Sequence, residues 1–370
     1  MKSLTEANTQ FALDMFRQFG KSEEDNIFFS PFSIASALAM VFLGARGNTA
    51  VEIEKVLHFN EVPESTRERA TTYHVEKSGD VHHHFQKLLT ELNKPTDAYE
   101  LKIANRLYGE KTYKFLQEYL DNIKEFYLAS VESVDFQNAA EESQKKINSW
   151  VETQTNGKIK DLFPQGSPIA TILVLVNAVY FKGQWQEKFN KEDTKEGEFW
   201  LNKDVQARIL EIPYKGKDLS MIVLLPNEID GLQKLEDKLT AEKLIEWTSS
   251  QNMSKRDVEL HLPRFKVEES YDLKATLVAM GMVDAFSTRD ADFSGMTGSR
   301  GLVVTKVLHK SFVEVTEEGA KATSATGVDF SVTSAPVPIH EEFHCNRPFL
   351  FFIKQNKTNS ILFFGRVSSP

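Results

Sequence analysis

His344 and Cys345 stand side by side, an imidazole next to the only thiol in a chain of 370 residues. A thiolate beside a general base is the nucleophile of cysteine hydrolases, and it needs an exposed, electropositive setting. This pair lies instead in the Phe-rich run FHCNRPFLFF, where a small residue of a buried strand is the plainer reading. His82, His83 and His84 form a second cluster with chemical potential. Adjacent histidines on a helix point in different directions, and no cysteine lies at ligand spacing, so no metal site is read there. Enzyme templates fail in turn: there is no Gly-x-Ser-x-Gly elbow, no Gly-rich phosphate loop and no helix carrying His-Glu-x-x-His. No catalytic residue, metal or cofactor is assigned.

The stretch Glu317 to His340, EEGAKATSATGVDFSVTSAPVPIH, separates the apolar-rich segments Val303–Val315 and Phe343–Ile353. It is nearly all Gly, Ala, Ser, Thr, Val and Pro, with no helical stripe and little bulk for a core. A structureless connection of that length is usually functional or disordered. Every second residue gives Ala320, Ala322, Ser324, Thr326, Val328 and Phe330 on one phase, with Lys321, Thr323, Ala325, Gly327, Asp329 and Ser331 on the other. The first phase is small, then apolar; the second holds the charges. Such segregation suits a half-buried strand. Composition alone fits a flexible linker equally well.

Glu317-Glu318-Gly319-Ala320, the block Phe343-His344-Cys345-Asn346-Arg347-Pro348-Phe349-Leu350 and the terminal Phe364-Gly365-Arg366 resemble the hinge and C-terminal signature of the serpins. The resemblance covers nearly the whole chain and is strongest to the intracellular, ovalbumin-type branch (clade B), in particular the squamous cell carcinoma antigens. It implies a single α+β domain over residues 1–370, a serpin fold of about nine helices around three β-sheets, with an exposed reactive loop at 317–340 near the C-terminus. It also implies a protease inhibitor rather than an enzyme. The loop is offered as a substrate, cleaved, and inserted into the main sheet as a new strand that drags the bound protease along.

Insertion demands small residues on the inward phase, and Ala320, Ala322, Ser324 and Thr326 meet that demand behind Glu317, Glu318 and Gly319. Lys321, where relatives often carry an acid, falls on the outward phase. The 14 residues between Thr326 and Glu341 match similar family members in number, which assigns the scissile bond to Thr333-Ser334. Val332, next upstream, suits cathepsin-type, papain-like cysteine proteases, which read that subsite with an apolar pocket. Phe330 would direct a chymotrypsin-like serine protease to Phe330-Ser331. The expected partner is a protease of one of these two kinds, the cathepsin type first. The rival expectation is a non-inhibitory serpin-like binding protein, or a plain protease substrate.

A sheet that accepts a strand must stay shut until cleavage, and the preceding chain supplies the frame. Asn26–Phe29 reads as a buried strand stopped by Pro31, with Ser33 placed to cap the helix that ends near Gly44. By the resemblance this helix lies beneath the main sheet, and Ser30 and Ser33 match positions lining the region where strands part. Ile172–Phe181 is the most apolar strand, interrupted by Asn177, whose amide must find partners or cost about 1–3 kcal/mol. Asn177 matches the family's central asparagine, Trp185 the tryptophan at the top of the sheet, and His309 the histidine that partners Asn177. Further strands are expected at Leu101–Tyr108, Asp218–Pro226 and Val258–Pro263, and helices at Phe115–Phe126, Glu141–Thr155 and Tyr271–Met280, the last ended by Gly281. The polar run from Asn60 to His84 reads as a mobile connection.

The chain departs from the family pattern after Phe199-Trp200-Leu201-Asn202-Lys203. Relatives carry about twenty more residues between the equivalents of Lys203 and Val205, in strands rather than in a tolerant surface loop. Their absence bears on whether the shortened chain folds as an inhibitor.

Composition narrows the partners. A net charge of −9, with 44 basic against 53 acidic residues, argues against nucleic acid. A single cysteine excludes an internal disulfide and favours a reducing compartment. The first residues, MKSLTEANTQFALDMFRQF, form an amphipathic helix start rather than a secretory signal. Phe28–Ala45 lacks charge but is broken by Ser30, Pro31 and Ser33, so no membrane span is read. A cytoplasmic monomer is expected, with leaderless release outside the cell as a second location. The acceptor motifs at Asn252 and Asn356 are read as unused.

Overall fold

Thirteen strands and ten α-helices form among the described residues of a computed structural model. Those residues are 3–22, 26–62, 79–164, 166, 171–186, 194–202, 206–247, 254–261, 265–315 and 340–368. Helix α1 (Leu4–Ser22) leads through β1 (Ile27–Phe29) into α2 (Pro31–Gly44) and α3 (Gly47–Val56). Then come α4 (Gly79–Leu92), β2 (Tyr99–Glu110), α5 (Gln117–Tyr127), β3 (Ser130–Val134), α6 (Ala140–Gln154) and β4 (Leu173–Gly183). Strands β5 (Thr194–Asn202), β6 (Ala207–Pro213) and β7 (Leu219–Pro226) precede α7 (Leu232–Lys238) and α8 (Ala241–Trp247). After β8 (Ser254–His261), β9 (Phe265–Asp272), α9 (Lys274–Ala279) and α10 (Ser294–Thr297), the chain closes with β10 (Val304–Val315), β11 (His340–His344), β12 (Phe349–Gln355) and β13 (Ser360–Val367).

The strands form two hydrogen-bonded sheets, β3-β2-β4-β10-β9 and β1-β13-β12-β7-β6-β5-β8-β11. The larger one joins what the resemblance describes as two smaller sheets. The junction is β5, which pairs antiparallel with both β6 and β8.

Period-two alternation along β4 explains its unbroken apolar run. Leu173, Leu175, Val179 and Phe181 enter the main core, which contains α2 and the aromatic residues of β12 and β13. Val174, Val176, Ala178 and Tyr180 face the other way, into a second core with Ile147 and Val151 of α6. A strand covered on both faces has no reason to alternate polar with apolar residues. Likewise α2 is buried from Pro31 to Phe42, as expected of a helix apolar all round.

Two local expectations change. The helix cap is Ser30, not Ser33: Ser30 is extended, Pro31 opens the helix, and the Ser33 N–H donates to Ser30 Oγ at 3.4 Å. The helix expected over Tyr271–Met280 is confined to Lys274–Ala279, because Tyr271 is held in β9 opposite His309. Gly281, at φ 115, does lie just beyond that helix's end, where a side chain would be strained. Among the described residues no helix is long and apolar enough to cross a membrane.

Candidate functional site

In the five-stranded sheet β4 and β10 lie side by side and parallel, in continuous register from Val174 opposite Lys306 to Lys182 opposite Glu314, with one irregularity between Val304 and Lys306. Strand β10 ends at Val315, and the next described strand is β11, which begins at His340 in the eight-stranded sheet, parallel to β8. The intervening segment holds Glu317, Glu318, Gly319, Ala320, Ala322, Ser324, Thr326, Phe330, Val332, Thr333 and Ser334, and these lie outside the described residues.

One row of side chains crosses this seam on the inner face. Asn105 of β2, Asn177 of β4, His309 of β10 and Tyr271 of β9 are successive register partners. His309 Nδ1 and Asn177 Oδ1 are 2.7 Å apart, and Asn177 Nδ2 donates to Ser33 Oγ at 2.7 Å. The Ser30 N–H donates to His309 Nε2 at 3.1 Å, so the ring proton sits on Nδ1 and is donated to Asn177. Ser30 Oγ donates in turn to the Leu362 carbonyl at 2.6 Å. The imidazole is fully buried and flanked by neutral partners; burial lowers its pKa from 6.5 to about 3. It is therefore neutral at physiological pH, and the network ties β4, β10, β13 and the start of α2 together without charge.

The structure thus brings Ser30, Ser33, Asn177 and His309 into one network. Trp185 is not part of it. Two residues beyond β4, it bridges to Tyr214, with the rings stacked at 4.4 Å and 12°. Ser311, not among the residues picked out by pattern, adds a separate bond on the same face, its Oγ donating to the Phe28 carbonyl at 3.1 Å. The signal was available, since Ser311 lies two residues beyond His309 on the same strand and so on the same face.

The other chemical candidates resolve into structural roles. Cys345 is buried, which pushes its thiol up to about 12 despite the nearby Arg347, so it carries no thiolate. His82 is fully buried beside Phe42, Phe126 and Tyr127, and its Nδ1 meets the Tyr127 hydroxyl at 2.5 Å. His83 stands edge-on to Phe126, and His84 lies edge-on to Phe85. The letters His340-Glu341-Glu342-Phe343-His344 do fit His-Glu-x-x-His. They form strand β11, however, where residues four apart are separated by about 13 Å rather than by one helical turn.

Comparison with known proteins agrees with this geometry. The chain matches the family "Serpin (serine protease inhibitor)" over residues 6–207 and 203–370. Human Serpin B3 is 69% identical and human Serpin B4 67% identical, each over 392 aligned positions covering all of both chains. Set against the 370 residues here, each alignment leaves 22 positions without a counterpart in this chain. The crystal structure of uncleaved ovalbumin superimposes with a TM-score of 0.87 at 37% identity, covering all of both chains.

Proposed function

The chain belongs to the serpin family, and on that premise we propose that it inhibits a protease as a suicide substrate. The loop 317–340 is cleaved and inserted between β4 and β10 of a single domain spanning residues 1–370. The observation that carries this reading is the parallel β4–β10 seam. A segment continuing from the C-terminal end of β10 and turning back runs antiparallel to both strands, so it can hydrogen-bond on its two edges. A strand of about ten residues adds on the order of 10 kcal/mol at about 0.5–1.5 kcal/mol net per bond. The small phase Ala320, Ala322, Ser324 and Thr326 fits between closely packed strands.

Thr333-Ser334 is the proposed bond. Val332 favours a papain-like cysteine protease, and Phe330 a chymotrypsin-like serine protease as the second class. The protein acts as a cytoplasmic monomer in this reading. Asn356 Nδ2 donates to the Lys217 carbonyl at 2.8 Å and to Ser220 Oγ at 2.9 Å, an arrangement that leaves no free amide for a glycan.

The shortened middle favours a second reading, a non-inhibitory binding protein. Its supports are the division of the family match at 203–207 and the direct hairpin from β5 to β6, with Asn202 opposite Ala207. Against it stands the pairing of β5 on both edges, which leaves no open strand edge between β6 and β8. Incubation with a papain-like cathepsin and, separately, with a chymotrypsin-like protease distinguishes the two. Loss of protease activity with a denaturation-resistant complex and a released peptide beginning at Ser334 supports the trap. Cleavage with full activity retained supports the binding protein or plain substrate.

A further inference from the structure

A second row of side chains crosses the same seam on the outer face, near its loop end. Glu100 of β2 is the register partner of Lys182 in β4, Lys182 of Glu314 in β10, and Glu314 of Lys266 in β9. The signs alternate across four strands: negative, positive, negative, positive. Among the described ion pairs of this row, the middle one is formed, with Lys182 Nζ 3.4 Å from Glu314 Oε2. Both partners are largely withdrawn from solvent, the side chains being 22% and 9% exposed. Tyr180 lies on the same face, and burial, Glu314 and Glu100 together raise its phenol pKa. The outer groups share neighbours as well as register.

We propose that Lys182 and Glu314 form a latch that controls how fast the sheet opens to admit a strand. This rests on the insertion reading given above. Parting β4 from β10 by one strand width, about 4.8 Å, ruptures this pair and draws Glu314 away from Tyr180 of β4. Register places an opposite charge on each side of the opening, Glu100 of β2 across from Lys182 and Lys266 of β9 across from Glu314. A buried charge left alone would make opening prohibitive. This pattern lets the latch release without stranding one. Its strength is electrostatic and partly exposed, so added salt weakens it. The Asn177–His309 contact on the inner face is neutral and lacks that dependence.

The test measures sheet opening without a protease. A synthetic peptide of residues 320–332, AKATSATGVDFSV, is incubated with the whole protein, and its uptake is followed by native gel mobility and mass. Glu314→Gln and Lys182→Met should each take up the peptide about 5- to 30-fold faster than the unaltered protein at low salt, the factor for losing one or two kcal/mol of latch. The double variant should be no faster than the faster single one. The gain should shrink as salt rises, because only the unaltered protein accelerates. Lys111→Met, which breaks the Lys111–Asp135 pair away from the seam, should leave the rate unchanged. Equal uptake by all proteins at every salt concentration overturns the latch and leaves the insertion reading standing, as does equal acceleration by Lys111→Met. No uptake by any protein overturns the insertion reading and the latch with it.

Discussion

The two sheets are closed by different kinds of contact. In the eight-stranded sheet, β1, β12 and β13 are held by aromatic packing: Phe364 stacks on Phe16 at 4.4 Å and meets Phe29 and Phe352, while Phe28 stacks on Phe363. Even Gly365 is dictated by it, since a Cβ there would come within 2.3 Å of the Phe351 ring. At the β4–β10 seam the inner row is instead a chain of polar groups, Asn177, His309, Ser30 and Ser33, and the outer row is charged. Burial opposes parting in proportion to the whole apolar area that would be wetted, whereas a polar row presents a few directional contacts that water can replace one by one. In the proposed mechanism one sheet is built to hold and the other to part at a defined line.

The largest expected effect tests the holding sheet. Phe364→Ala should lower unfolding free energy by about 3–5 kcal/mol, the usual loss for a buried Phe, read from denaturant midpoints. It should not speed peptide uptake at the seam. Equal acceleration by this variant would break the comparison.

Acid tests the seam. His309 is buried and neutral, with its pKa lowered to about 3, and His82 likewise. A histidine whose folded pKa is depressed takes up protons on unfolding, so its contribution is complete above about pH 6.5 and declines as pH falls from there toward the folded value. The slope is about 1.4 kcal/mol per pH unit for each imidazole. Melting temperature should therefore fall steadily below pH 6.5, and His309→Gln should remove about half of that dependence. Uptake of the 320–332 peptide should also quicken with acid in the unaltered protein but not in His309→Gln.

Asn177→Ala leaves the His309 N–H and Ser33 Oγ without their partner. Its cost should be about 1–3 kcal/mol in the closed form, with faster strand uptake as the companion result. The smallest effect concerns Asn356. Expression through a secretory route should leave it unglycosylated by mass, because its amide is already bonded within the holding sheet.

Much of this contrast was legible in the letters. The apolar run of β4, the anomaly of Asn177 within it, and His309 in a second strand stood out because each breaks a local pattern. What escaped was register. Lys182 and Glu314 are 132 residues apart, and neither is unusual in its own segment, so only the parallel β4–β10 pairing brings them to 3.4 Å. The misplaced start of the Tyr271 helix has the same origin, since the ladder to His309 outweighs local helical preference. The dual pairing of β5 was hidden for a related reason. The resemblance records that strands are missing, and hydrogen bonding decides which remaining strand takes the vacated edge.

The central claim is that the cleaved loop becomes a strand between β4 and β10. The most direct measurement is the melting temperature of the protein before and after a single cut within residues 317–340, with both fragments retained. An added strand worth on the order of 10 kcal/mol should raise it by roughly 20 °C, at about 2 °C per kcal/mol for a chain of this size. An unchanged or lower melting temperature after complete cleavage would contradict the account.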